Sequence, residues 1–270
     1  RVRRARLHLR KPTGGAVEVL LVDERPDGWW EALVRPSKKV APGTTLTGAA
    51  VEAVGGDDLG DGLRLVRVAA GDPEGGGDVP LPPYIAEPLA DPGRYQTVYA
   101  RRPASAAAPT AGLHLTDEVL DRCRAAGVAV AAVELVVGLD TFRPITVDRL
   151  EDHAMHTESY AVPPATWDAV TATRAAGGRV VAVGTTVTRA LESVAARHEL
   201  EGRTDLLIRP GHEWACVDRL LTNFHVPRTT LLALVTAFVG PRWRDLYEHA
   251  LSGGYRFLSF GDACLLTRSP

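Results

Sequence analysis

The sequence predicts an α/β protein in two parts, with a small antiparallel β module to about Asp78 and an α/β domain over residues 79–270. Two observations carry this. Val17–Val22, Trp29–Arg35 and Leu63–Ala69 are short β-rich runs, the first two joined by the turn-like Arg25-Pro-Asp-Gly28 and the third alternating Leu or Val with Arg. From Val79 onward, helical patterns alternate with apolar runs, as in a sheet of buried parallel strands covered by helices. Two Gly/Asp-rich stretches punctuate the first part. Gly55–Gly62 reads as a hairpin loop and Gly71–Gly77 as an interdomain linker.

The elements of the second part follow in order. Asp117–Ala126 is expected as a helix, with acidic residues in its first turn and Gly127 just past its end. Val128–Val137 is nearly continuous in apolar residues and reads as a buried strand. Pro164–Ala176 is a helix with Pro near its start and Gly177 after it. Arg179–Val183 is a strand, Thr186–Arg197 a helix and Thr204–Ile208 a strand. The run Thr229–Val239 is a helix with Thr229 and Thr230 as cap candidates and Leu231, Leu232, Leu234, Val235 and Phe238 at buried spacing.

Composition bounds the function. With 270 residues, 45% of them apolar, the chain can bury a sizeable core. A net charge of −2 provides no global field toward nucleic acid, so an RNA partner would need a local patch. Cys123, Cys216 and Cys264 lack paired spacing, which suits a reducing cytoplasm. No signal peptide is recognisable, and the longest apolar stretch, Leu231–Gly240, is half a membrane span. The expectation is a cytoplasmic protein without a membrane partner, and a monomer.

Four segments can carry chemistry. DRLLTNFHVPRTTL groups Thr222, Asn223, His225 and Arg228 around a Pro ahead of an apolar helix; it reads as a rigid anion-attracting site or as a capped core helix behind a solvated loop. Val180–Arg189 is a strand, a tight turn and a helix start. Gly184 permits close backbone approach, Thr185 and Thr186 can cap or bond an anion, and Arg189 either adds charge or is solvated. Pro109, Thr110, Ala111 and Gly112 make a small-residue loop able to expose backbone groups to a flat ligand such as adenine, with His114 giving direction or merely packing. His153-Ala-Met-His156-Thr-Glu158 reads as a metal-ligating face, an acid–base pair with an orienting carboxylate, or surface polar residues. No further ligand cluster has metal spacing, so no metal is expected.

TNFHVPRTTL (Thr222–Leu231), PLPPYI (Pro80–Ile85), RYQTVYARRPASAAAPTAGLHLT (Arg94–Thr116), VVAVGTTVTRALES (Val180–Ser193) and YRFLSFGDACLL (Tyr255–Leu266) together resemble the S-adenosylmethionine:tRNA ribosyltransferase-isomerases of queuosine biosynthesis. The resemblance runs in order from about Arg3 to the C-terminus. It implies a β-barrel-like domain over 1–78 and a three-layer α/β domain over 79–270. It also implies a further segment ahead of Arg1, where the chain begins RVRRARL without Met.

The implied reaction moves the ribosyl part of S-adenosylmethionine onto a 7-aminomethyl-7-deazaguanine base in tRNA. The ribose isomerises to an epoxy-cyclopentanediol, giving epoxyqueuosine, and adenine and methionine leave. S-adenosylmethionine is then a ribosyl-donor substrate, with no prosthetic group. The chemistry needs a base for a proton made acidic by the sulfonium, a donor to help adenine leave, and a grip on the methionine carboxylate. His114, His153, His156 and His225 are the unordered candidates for proton work, and Arg189 with Thr185 and Thr186 for the grip. Tyr95, Gln96, Asp140, Glu158 and Phe224 complete the implied substrate pocket, which has no metal.

The chain departs from the family pattern in places. Where LHVGxGTF is usual it has Leu135-Val-Val-Gly-Leu-Asp-Thr-Phe142, so Val136 replaces an imidazole and Asp140 a glycine. PTAGLHFT has become PTAGLHLT, and Glu87 stands where a basic residue usually follows PLPPYI. Losing the imidazole removes a donor and an acceptor. These changes motivate two alternatives, the same chemistry on a small-molecule acceptor and a non-catalytic nucleoside-binding protein.

Overall fold

Alternating apolar residues over the first 71 positions close a barrel in the computed structural model, which describes residues 1–85, 87, 89–138, 145, 147–153, 155 and 157–269. The chain divides into two compact units, Arg1–Tyr95 with Arg101–Ala107, and Gln96–Ala100 with Ala108–Pro270.

The first unit holds β1 (Arg6–Arg10), β2 (Ala16–Glu24), β3 (Trp30–Arg35), β4 (Thr45–Thr47), β5 (Val51–Gly60) and β6 (Leu63–Gly71), followed by the one-turn α1 (Pro73–Gly76). The strands pair antiparallel in the closed order β1-β2-β3-β6-β5-β4. Closure leaves no free edge, and the period-2 pattern turns Leu7, Leu9, Val17, Val19, Val34 and Leu46 inward, where all are buried. Gly55–Gly62 differs from the expected hairpin loop: β5 runs through it, and the turn narrows to Asp61 and Gly62, both with left-handed φ. Gly56 belongs in that strand because a Cβ there would overlap the Trp29 ring and Leu65. The bulged strand also frees the Gly56 carbonyl for buried Arg64, whose guanidinium donates to it at 2.6 Å and to Asp58 at 2.9 Å.

The second unit contains α2 (Asp117–Ala125), β7 (Glu134–Val136), β8 (Glu158–Ala161), α3 (Pro164–Ala175), β9 (Val181–Val183), α4 (Thr185–Arg197), β10 (Glu201–Thr204), β11 (Arg219–Asn223), α5 (Thr230–Val239), α6 (Trp243–Ser252) and β12 (Ala263–Thr267). Thr116 caps α2 by accepting from Val119 N–H, and Thr229 caps α5 by accepting from Leu232 N–H. The strands form two three-stranded sheets, β10-β8-β7 and β12-β11-β9. Among the described residues of these sheets only β9 and β11 run parallel, so the expected sheet of parallel strands is replaced by a mostly antiparallel arrangement. One core joins α4 and α5 to the second sheet through Ala182, Leu191, Val194, Leu220, Val235 and Phe238. No helix among the described residues is long and apolar enough to cross a membrane.

Two sequence expectations fail for physical reasons. The run Val128–Val137 is not one buried strand: residues 128–132 are exposed and irregular, and only β7 at its end pairs. Three of those five residues are Ala, whose small side chains contribute little burial free energy. The strand expected at Thr204–Ile208 instead ends at Thr204, because side chains take its next backbone groups. Arg189 Nε donates to the Leu206 carbonyl and Thr204 Oγ1 accepts from Leu206 N–H, which removes Leu206 from any ladder.

A buried carboxylate fixes the segment before β11. Glu192 on α4 accepts from the backbone N–H groups of Ala215 (2.7 Å), Cys216 (3.0 Å) and Val217 (2.9 Å), with His212 Nε2 at 3.6 Å. Burial alone would push this carboxyl up, but the His212 contact and the three N–H groups outweigh it and hold it at about 2. A depressed folded-state value stabilises the fold above the unfolded value of 4.5, and that contribution is lost as pH falls through about 2. Unfolding measured from pH 7 to pH 2 should show the wild type losing about 3 kcal/mol more than Glu192→Gln across this window. Parallel curves for the two proteins would remove Glu192 as the cause.

Candidate active site at the carboxyl ends of β9 and β11

Ligands of α/β sheets bind where parallel strands end, and here β9 and β11 end together, with Val183 opposite Leu221. After β9, Gly184 turns the chain into α4 with φ 99°, a conformation that favours glycine. Gly184 is the cap residue of α4, and no side chain caps the helix, so the expected capping by Thr185 or Thr186 is not what forms. Both threonines are buried in the first turn. The 3₁₀ turn Thr110–His114 lies against this loop, its Ala111 Cβ 3.7 Å from where a Gly184 Cβ would stand.

That same turn reaches β11. Thr110 Oγ1 donates to Asn223 Oδ1 at 3.1 Å, and Asn223 Nδ2 donates to His114 Nε2 at 2.9 Å. An accepting Nε2 places the His114 proton on Nδ1 and leaves the ring neutral. Burial lowers the His114 pKa, opposed in part by the Asp262 charge. Asp262 comes just before β12, whose Ala263 is paired with Asn223. Its Oδ2 accepts from Arg256 N–H at 2.7 Å. Pro109 precedes this turn, and Gly112 is required within it, since a Cβ there would overlap the Tyr99 hydroxyl.

Other expected site residues turn elsewhere. Arg189 does not stand free as an anion grip. Its guanidinium is buried and paired with Glu158 Oε2 at 2.5 Å, and it also donates to the carbonyls of Thr204 (3.1 Å) and Leu206 (3.0 Å). Its place one turn into α4, toward β8 and β10, spends both Arg189 and Glu158 on joining the helix to that sheet. His225 is buried as well, with Nε2 2.9 Å from Thr222 Oγ1 and its N–H donating to the Tyr247 hydroxyl at 3.0 Å. Burial drives its imidazole down to about 4, so it is neutral at pH 7 and braces the loop. Phe224 packs against Tyr247, Tyr255 and Phe257 with ring centroids 5.2–5.7 Å apart, and is core rather than a ligand platform. Tyr95 is fully buried within the first unit, and Gln96 is half-buried in the second. No hydrogen bond among the described residues joins His153 to the His114 network. His156 and Asp140 lie outside the described residues.

Arg228 is an exposed cation shortly after β11. It makes no ion pair among the described residues and precedes the α5 cap. Its φ of 59° is unusual for a non-glycine residue, and its carbonyl accepts from Ile145 N–H. Sequence reasoning missed Tyr99, Tyr247 and Asp262 as neighbours of the site. Tyr99 and Asp262 fall inside segments that carry the resemblance, which was the available signal. Among the described residues no group of three or more His, Cys, Asp and Glu side chains is placed to hold a metal ion.

Comparison with known proteins settles the family. The model described as "Queuosine biosynthesis protein" matches residues 1–266. The chain belongs to this family. It is 52% identical over 268 residues to the S-adenosylmethionine:tRNA ribosyltransferase-isomerase of Rubrobacter xylanophilus, covering 97% of this chain and 78% of that protein. It is 51% identical over 283 residues to the enzyme of the same name from Thermus thermophilus, covering 97% and 80%. The crystal structure of S-adenosylmethionine tRNA ribosyltransferase from Thermotoga maritima is similar at 35% identity and a TM-score of 0.50, covering 98% of this chain and 79% of that one. In this queuosine family member, the polar turn at 110–114 and the end of β11 are thus both built from segments that carried the resemblance.

Proposed function

We propose that this chain transfers and isomerises the ribosyl group of S-adenosylmethionine onto a 7-aminomethyl-7-deazaguanine base in tRNA, releasing adenine and methionine. The observation that supports it best is the Thr110–Asn223–His114 network at the carboxyl ends of β9 and β11, in a chain about half identical to enzymes named for that reaction.

Chemical tasks can be matched to residues. Neutral His114, with its proton on Nδ1, supplies a hydrogen-bond donor for departing adenine; a neutral imidazole gives up no full charge in doing so. The small turn at Pro109–Gly112 suits a flat purine. Arg228 takes over the carboxylate grip from Arg189, since its guanidinium is exposed and its fork fits a carboxylate. His153 keeps its candidacy as the base for the proton beside the sulfonium. S-adenosylmethionine acts as substrate, and no prosthetic group is required.

Incubating the protein with S-adenosylmethionine and tRNA carrying the deazaguanine base should release adenine and methionine together and leave the modified nucleoside on the tRNA. Release only with another acceptor would replace this reading with the small-molecule alternative, which Val136 at the family's imidazole position favours. Binding of S-adenosylmethionine without any release would instead support the non-catalytic alternative.

A further inference from the structure

One end of the barrel gathers five cations. Lys11, Lys38 and Lys39 are the only lysines in the sequence, and the fold brings them together: Lys11 Nζ donates to the Lys39 carbonyl at 3.3 Å. The strand register explains why. Residues Arg10 of β1 and Arg35 of β3 lie opposite Ala16 and Glu18 at the start of β2, so β1 and β3 both end at that rim. Lys11 continues from β1, and Lys38 and Lys39 form the 3₁₀ turn after β3. Arg10, Arg35, Lys38 and Lys39 are exposed and Lys11 is half-exposed.

None of these five cations makes an ion pair among the described residues, whereas Arg6, Arg25 and Arg64 of the same barrel pair with Glu18, Glu31 and Asp58. Glu18, on the adjacent strand, is taken by Arg6, and Asp58, at the β5–β6 turn that meets the end of β3, is taken by Arg64. Five cations without an ion pair among the described residues therefore share this rim with two such carboxylates, Asp57 and Asp61 of the β5–β6 turn, in a protein whose net charge is −2. Lysine ammonium groups on long flexible stems suit phosphates whose positions are fixed only loosely, and phosphate contacts set register without reading sequence.

We propose that this rim, Arg10, Lys11, Arg35, Lys38 and Lys39, is a phosphate-binding surface for the backbone of tRNA. The proposal rests on the function proposed above for its choice of RNA. It meets the need for a local patch that a net-negative chain would otherwise lack.

The test is tRNA binding by fluorescence anisotropy across a salt series, for the wild type and for Lys11→Glu/Lys38→Glu/Lys39→Glu. A Lys→Arg triple variant and thermal melts monitor folding. The expected result is a Kd raised about tenfold or more by the Glu variant, and a log–log salt dependence shallower by about 2 to 3, with binding kept by the Arg variant. Under turnover, KM for tRNA rises while KM for S-adenosylmethionine and kcat stay the same. A folded Glu variant with unchanged affinity and salt slope overturns the surface. So does wild-type protein that uses these lysines to bind phosphatidylserine vesicles and does not bind tRNA. Lysine-dependent tRNA binding without any adenine release keeps the surface and sinks the proposed reaction, so the two failures are distinct.

Discussion

Asn223→Asp is expected to lower kcat by about 10²-fold at pH 7, the lower end for a misplaced acid–base group, and to move the acid limb of the pH–rate profile upward. Asn223 presents an N–H to His114 Nε2 and so penalises a proton there. A carboxylate in its place would accept from Nε2–H, stabilise the imidazolium and raise the His114 pKa, adding to the upward pull of Asp262. If the neutral ring is the active form, activity falls as pH drops through that pKa. In the wild type this limb lies below 6.5, because burial lowers the value from there. In Asn223→Asp it should lie above. Nitrogen-15 spectra of the histidine side chains provide a reading that does not depend on turnover, with His114 protonated on Nδ1 in the wild type. A wild-type ring protonated on Nε2, or an acid limb that stays put in the variant, would sink this assignment. A purely structural Asn223 would lower the melting temperature and leave the shape of the profile alone.

Arg189→Ala is expected to cost about 3–5 kcal/mol of stability, a large part of the total for a domain of this size. The loss would come from leaving Glu158 buried without its cation, together with the orphaned carbonyls of Thr204 and Leu206. Urea unfolding followed by the fluorescence of Trp167, Trp214 and Trp243 would measure it. Replacing both partners, as in Glu158→Leu with Arg189→Met, should recover most of the loss, because the desolvation cost of the charges goes with them. If Arg189→Ala kept full stability but lost affinity for S-adenosylmethionine, Arg189 would return to the ligand site and Arg228 would lose the role proposed for it.

The barrel was legible because its code is local. Alternating residues such as Val17, Glu18 and Val19 have one burial pattern compatible with a half-buried strand, and the order of such runs suits antiparallel pairing. The capped helix α5 was legible for the same reason, with Thr229 and the apolar spacing after it both lying within one segment. The motifs also named segments that the fold brings together, since 110–114, 184 and 223 converge. They could not rank the polar side chains within those segments. Thr222, Asn223 and His225 are consecutive or nearly so, yet Asn223 turns to a residue 109 positions away while Thr222 and His225 bond each other. Arg189 and Glu158, each readable as a ligand contact, neutralise one another across 31 positions.

What the sequence by itself determined was therefore much of the strand and helix pattern and the position of several turns, because periodicity, caps and turn residues act over a few positions. What only the tertiary structure decided was which charges and hydrogen-bonding groups are consumed inside and which are left for a ligand. A buried polar group must find its partner wherever the fold supplies one. For Arg189 that partner is Glu158, while Arg228 and the lysine rim are left without an ion-pair partner among the described residues.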